Sequence, residues 1–392
     1  MQNKIPHINP SITFNKLSDN EFILCNTLHK HYLKINKDTY DLLSLIDNER
    51  SLQEICKLHN QQSEKELTVN ALHFLLYDKL SKYGLLVGEE EQIKPYQKPS
   101  YLKLSFIIFS KRFIAKITPS LHFLFRKKIA FPLLILCAVM IGTELYWLLE
   151  GYKSFKVQES VIFFLVVMAI SVTFHELGHA TAASHFGAEH GGIGGGFYLF
   201  TPVYFADVTD VWRLKKWQRV VVNCAGMYFE IIFCTLLSLV GLLLEQISLT
   251  LIAIIVCLHT FFNLNPFLRS DGYWILSDIT NKPNLLQHSF RKIGDVFKMI
   301  KGKKVQWTKI DFLLLVYGLI SYSFIVLFVY YVLFKNPHSI LNFPQNLYHF
   351  LKSLCNKDAT ISLVSFGELI VPMLFFYLLF SFLKSILRKK KI

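Results

Sequence analysis

The chain has 392 residues, 52% of them hydrophobic, and a formal net charge of +14. That balance argues against a soluble protein of two or three ordinary domains and for a polytopic membrane protein. Nucleic acid is not the expected partner of the charge, because Lys and Arg gather beside apolar runs and in the C-terminal "LRKKKI", where cations set topology and meet lipid. Seven cysteines, scattered and never spaced as CxxC, give no disulfide framework and no thiolate zinc knuckle.

The N-terminus, "MQNKIPHINPSITF", lacks the charged and apolar regions of a signal peptide, so the first segment should stay in the cytoplasm. Residues 1 to about 98 contain no span-length apolar run and read as a small α/β, winged-helix-like unit. "FILCN" and "HYLKIN" predict a hairpin around "TLHK", and "KDTYDLLSLI" has helical apolar spacing. Ser51 and Glu54 form a capping box opening a second helix. A third helix is expected from Glu64 to Ser81, closing at Gly84. No cluster of acids, histidines or nucleophiles occurs here, which suits binding rather than catalysis.

Residues 99–129 alternate apolar groups with isolated cations and contain Pro119, the pattern of an interfacial linker; a seventh crossing at 101–125 is the rival and would invert the topology. From 130 to 392 six apolar stretches are long enough to span: roughly 130–150, 157–183, 219–244, 247–268, 310–335 and 361–387. The predicted fold class is mainly α, a helical membrane protein with about six transmembrane helices and a small cytoplasmic α/β head. The basic groups around Lys111–Lys128, Arg213–Arg219, Arg269–Lys304 and Lys384–Lys391 put both termini in the cytoplasm.

The chemistry gathers in "FHELGHA". His175 and His179, four residues apart, share one face of a helix and can grip one ion, with Glu176 beside them. In such a motif zinc lowers the pKa of a bound water to about 7 and the Glu takes its proton. Two histidines and a carboxylate at membrane depth are rarely tolerated without a function. A helix entering at Val157 places His175 about 27 Å along it, near the cytoplasmic side of a core about 30 Å thick. The flanking Gly178 lets a helix or substrate backbone come close.

Catalytic zinc takes a third protein ligand and keeps an open position. The best candidate is Asp271 in "FFNLNPFLRSDGYW", where Asn265-Pro266 breaks the fourth span and Asp271-Gly272 turns the chain back. Asp207 and Asp210 in "YFADVTDVW" compete, with turn and helix capping as their structural role. His185 and His190 read as loop residues, and Glu144 and Glu368 as interfacial or paired groups. "GAEHGGIGGGFYLF" lacks the Lys-Ser/Thr of a phosphate loop and suits a flexible or hairpin segment beside the site.

"HELGHA", followed far downstream by "NLNPFLRSDGYW", resembles the site-2 protease family of intramembrane zinc metalloproteases, most of all its peptide zinc metalloprotease branch. The likeness extends through "TPVYFADVTDVWRLKKWQRVVVNCAG", over about residues 157 to 285. It implies Zn2+ held by His175, His179 and Asp271, Glu176 as general base, and Asn263 or Asn265 as a helper for substrate or oxyanion. One departure is Glu230, where many site-2 proteases carry Asn; a carboxylate facing the site and a structural, protonated one are both open. The head, through "YLKINKDTYDLLSLIDNERSLQEI" and "FLLYDKLSKYGLL", is similar to PqqD-like domains that recognise leader sequences of ribosomally made, modified peptides. That likeness implies strand addition of an extended leader to the hairpin edge.

The expectation is a zinc endopeptidase of the bacterial cell membrane. It would receive a precursor peptide through its head and cleave it near the cytoplasmic face, in company with lipids, a peptide-modifying enzyme and an exporter. Alternatives are a regulatory intramembrane protease acting on a spanning signalling protein, and a non-proteolytic export scaffold or receptor.

Overall fold

The structure is a computed structural model describing residues 3–63, 66–89, 93, 103–151, 161–198, 201–267, 269–282, 284–302, 304–354, 369 and 371–380. By contacts it divides into two compact units: Met1–Ser100, Ile107–Gly194 and Tyr204–Asn281 form one, and Tyr101–Phe106, Gly195–Val203 and Lys282–Ile392 the other.

The first unit begins with an antiparallel sheet in the order β1-β2-β3: β1 (Ile12–Ser18), β2 (Glu21–Asn26) and β3 (His31–Asn36). The β2–β3 pair is the expected hairpin, with Leu24 opposite Leu33 and Lys30 left-handed in its turn. Strand β1 was not read from the sequence, because its polar residues hide the alternation. Three helical segments follow. The first, α1 (Lys37–Ser44), is capped by the Asn36 side chain, and α2 (Leu52–Gln62) carries the reciprocal Ser51–Glu54 capping box. The third, α3 (Val69–His73), continues as a wider turn to Leu80 and closes at left-handed Gly84. It starts later than the expected Glu64, because the Thr68 side chain accepts from Ala71 N–H and ends the extended segment there. Leu24, Leu43, Leu52, Ile55, Leu72 and Leu76 fill the core.

The segment 103–125 is not one helix: β4 (Lys103–Phe109) is followed by α4 (Lys111–Leu121), which holds Pro119 in its last turns. Then come α5 (Lys127–Gly151) and α6 (Val161–His185), strands β5 (Ile193–Tyr198) and β6 (Thr201–Ala206), and helices α7 (Lys216–Leu243), α8 (Ile247–Phe262) and α9 (Asp271–Thr280). The second sheet has the order β4-β5-β6, so the glycine-rich stretch is a paired strand rather than a free loop.

In the second unit, α10 (Leu285–Ile300) packs on α11 (Lys309–Tyr330), where Gly318 approaches the Ser289 backbone and Lys292 bridges to Asp311 at 3.0 Å. The short α12 (His338–Leu341) and α13 (Phe343–Leu354) follow.

Among the described residues, four helices are long and apolar enough to cross a membrane: Lys127–Trp147, Phe163–His185, Lys216–Leu243 and Lys309–Lys335. The fourth expected stretch forms only the 16-residue α8, about 24 Å against a core of about 30 Å. It stops at Asn263 because the Asn-Pro segment cannot continue it. Of the sixth stretch, 371–380 is helical; its remainder except 369, with Glu368, and the basic tail Lys384–Lys391 lie outside the described residues, as does the expected entry at Val157.

Candidate metal centre

Helices α6 and α7 run antiparallel, each with a narrow stripe of small and polar residues turned to the other. On α6 the stripe is Ser171, His175, Gly178, His179; on α7 it is Val222, Gly226 and Glu230, at the three- and four-residue spacing of one helix face, while Arg219 and Asn223 beside it reach α9. Gly178 has the role expected of it: a Cβ there would run into the Ala225 carbonyl, so its absence brings the α7 backbone against the histidines.

Each imidazole is anchored through Nδ1. His175 Nδ1 donates to Glu230 Oε2 at 2.9 Å, and His179 Nδ1 donates to the Val222 carbonyl at 2.7 Å. These bonds aim both Nε2 atoms the same way, 3.2 Å apart. The third member arrives on α9, whose first residue is Asp271. Its carboxylate is at a helix N-terminus, where the backbone dipole favours an anion. Asp271 Oδ2 lies 2.9 Å from His175 Nε2, and Oδ1 3.3 Å from His179 Nε2. Asp271-Gly272 does not turn the chain, as the sequence suggested; it opens a helix. Gly272 lacks a Cβ because one would collide with the Leu264 backbone, and its N–H bonds the Asn263 carbonyl at 2.7 Å.

The donor set fits a cation. Each Nδ1 faces an acceptor, the arrangement in which a neutral ring presents its lone pair at Nε2, and both Nε2 atoms face carboxylate oxygens. Asp271 Oδ2 is buried and takes no hydrogen bond despite its 2.9 Å approach to Nε2. Acceptors crowded together in a low-dielectric setting repel unless a positive ion lies among them. Their separations of 2.9 to 3.3 Å are close to the edge of about 3.3 Å in a tetrahedron with zinc–ligand bonds of about 2.0–2.1 Å. Gly226 keeps the space open, since a Cβ there would sit 2.5 Å from both Nε2 atoms. Among the described residues, His175, His179 and Asp271 are the group of metal-ligating side chains that converges in this way.

Glu176 is 8% exposed and adjacent in sequence to His175. The backbone of Ala206, the last residue of β6, lies beside its carboxylate. Asp207 and Asp210 are committed elsewhere. Asp207 bonds Lys30 Nζ at 2.9 Å and caps Thr209; Asp210 accepts from Tyr32 Oη at 2.9 Å and Glu189 N–H at 2.7 Å and lies in ion-pair range of Arg213 Nε at 2.7 Å. His185 stacks on Phe125 and meets His122, while His190 bonds the Gly191 carbonyl. Asn265 uses its amide oxygen on Phe267 N–H at 2.9 Å within its own turn, and Asn263 contributes its carbonyl to Gly272.

Sequence reading took Arg219 as a topology cation. The structure buries it, 5% exposed, with Nε 2.6 Å from Asp278 Oδ1, and Asn223 bonds the other Asp278 oxygen at 2.8 Å. This pair fastens α9, and with it Asp271, to α7. Ser171 was also missed; its hydroxyl donates to Glu230 Oε1 at 2.9 Å. The signal was present as polar residues recurring at one face of apolar helices.

A Bacillus subtilis (strain 168) protein named "Putative peptide zinc metalloprotease protein YydH" is 26% identical to this chain over 207 residues, 50% of this chain and 79% of that protein. No family profile matches the chain, and no solved structure matches it.

Proposed function

We propose that the chain is a membrane-embedded zinc endopeptidase of the site-2 protease type, which cleaves a precursor peptide near the cytoplasmic membrane face. The observation that carries this reading is the convergence of His175 Nε2, His179 Nε2 and Asp271 on one point, beside Glu176. The similarity to a protein named as a peptide zinc metalloprotease supports it independently, as do helices long and apolar enough to span.

The two imidazoles and Asp271 would hold the zinc, which would supply Lewis acidity at this point. The protein's part follows from the geometry. Glu176, beside the Ala206 backbone, accepts a proton from the attacking water at its carboxylate and returns it to the leaving amine. The water oxygen joins the acyl carbon as the C–N bond breaks. Helix α7 forms one wall, and Gly226 leaves the metal face clear of side chain.

Peptide delivery is the role of the head. Strand β3 lies at an edge of its sheet, the position at which an extended leader adds by main-chain hydrogen bonds. Lys30 and Tyr32, at the turn and start of β3, bond Asp207 and Asp210 directly after β6, the strand that ends at Glu176. A peptide held there reaches the site at high effective concentration, so the cleavage pocket need bind only weakly.

The test uses purified full-length protein with its co-encoded precursor. Glu176→Gln should retain zinc and lose about 100- to 10,000-fold in cleavage rate, the usual contribution of a general base. A wild type that holds zinc but cleaves neither that precursor nor a spanning helix would favour a scaffold instead.

A further inference from the structure

The two imidazoles of the metal centre are anchored unequally, and the difference resides in one residue. His179 is held by a backbone carbonyl, which no substitution at Val222 would remove. His175 is held by a carboxylate from the middle of α7, Glu230, which is 1% exposed. Glu230 makes two side-chain hydrogen bonds: Oε2 accepts from His175 Nδ1 and Oε1 accepts from the Ser171 hydroxyl, each at 2.9 Å. Both donors sit on α6, one turn apart, so the carboxylate bridges them like a clamp.

We infer that Glu230 is the positioning residue of this centre. It fixes His175 in the tautomer and rotamer that present Nε2 to the metal, through one oxygen on His175 and the other on Ser171. The inference rests on the metal reading above and deepens it. A carboxylate behind a ligating imidazole orients the ring and raises its basicity, and such partners commonly change metal affinity 10- to 100-fold. An amide of the same shape in place of Glu230 could still reach His175 but would orient and polarise its ring less. Ser171 completes the arrangement by fixing the second oxygen, so the carboxylate cannot rotate away from His175.

The test is zinc binding by the full-length protein in detergent, read by chelator competition and by the visible spectrum after Co2+ substitution, for wild type, Ser171→Ala, Glu230→Gln and Glu230→Leu. Wild type should hold one zinc. Glu230→Gln should bind it about 10- to 100-fold more weakly with a shifted cobalt spectrum, Glu230→Leu at least as weakly, and Ser171→Ala by a smaller factor. A residue that merely filled space would lower the thermal stability of the metal-free protein in Glu230→Leu and leave zinc affinity and the cobalt spectrum of Glu230→Gln unchanged; that outcome overturns the inference. A wild type that binds no zinc would instead overturn the metal reading, and this one with it.

Discussion

The head and the helices α5–α8 of the first unit obey opposite rules of burial. In the head, Leu24, Leu43, Leu52, Ile55, Leu72 and Leu76 are wholly buried, and charge is outside. In the helices the largest apolar side chains face outward, among them Phe131, Ile135 and Trp147 of α5 and Leu236 and Leu243 of α7, while Ser171, Arg219, Glu230, Ser238 and Thr260 are inside. One chain has thus been fitted to two solvents. Where water surrounds the fold, apolar burial drives it; where lipid does, apolar contact is available everywhere and polar pairing with close backbone approach selects the packing.

That contrast can be tested by exchanging the rules, beginning where the effect should be largest. Gly226→Val puts carbon where the two Nε2 atoms converge, so bound zinc should fall to near zero while helix content by circular dichroism is kept. Retention of stoichiometric zinc would refute the placement of the ion beside Gly226. Next is the buried pair: Arg219→Met leaves Asp278 uncompensated and should cost about 3–5 kcal/mol, and adding Asp278→Leu should recover most of it. Urea unfolding in mild detergent measures both, and equal losses in the single and double variants would show the pair is not what holds α9 to α7.

The matching change in the head is Leu72→Ala, expected to cost about 2–5 kcal/mol. Hydrogen exchange should report it in α1–α3 and β2, leaving α6 and α7 protected. Smallest is the link between head and body. Burial pushes the Asp207 carboxyl up, but the Lys30 ammonium and the Thr209 hydroxyl and backbone outweigh it and hold it below its ordinary value. Its contribution is therefore complete above the unfolded carboxyl pKa of about 3.9 and is lost as pH falls through the lower folded value. For a pair this exposed it amounts to about 0.2–1 kcal/mol. Lys30→Ala should speed amide exchange in β6 by at most about five-fold at pH 5 and have little effect at pH 3.

Local pattern made much of this legible. The four-residue spacing of His175 and His179 placed them together on a helix, and the Ser51–Glu54 box opened α2 as expected. Patterns shorter than a helix misled: Asp271-Gly272 resembles a turn and instead starts α9, because Gly272 must pass the Leu264 backbone. Similarly, hydropathy extended the fourth apolar stretch to 268, whereas the Asn-Pro break ends α8 at Phe262. Asp271 stands ahead of Asp207 and Asp210 in the sequence, beyond the Asn-Pro break on the side of the histidines, and the structure brings it to them. Lys30 and Tyr32 engage the other two, contacts that join residues some 180 positions apart.

By itself, the sequence determined which residue types could make a metal site and on which helix face the histidines fall, because helical periodicity is a property of neighbours. It also determined that the first hundred residues hold no span-length apolar run while the rest hold several, because hydropathy is a property of composition. Only the tertiary structure decided that Asp271 completes the group, that Arg219 faces Asp278 rather than phosphate headgroups, and that Glu230 stands behind His175. Those pairings depend on the register of α6 against α7 and of α9 against both, which is set where Gly178 and Gly272 let backbones meet and Gly226 leaves room for the two imidazoles.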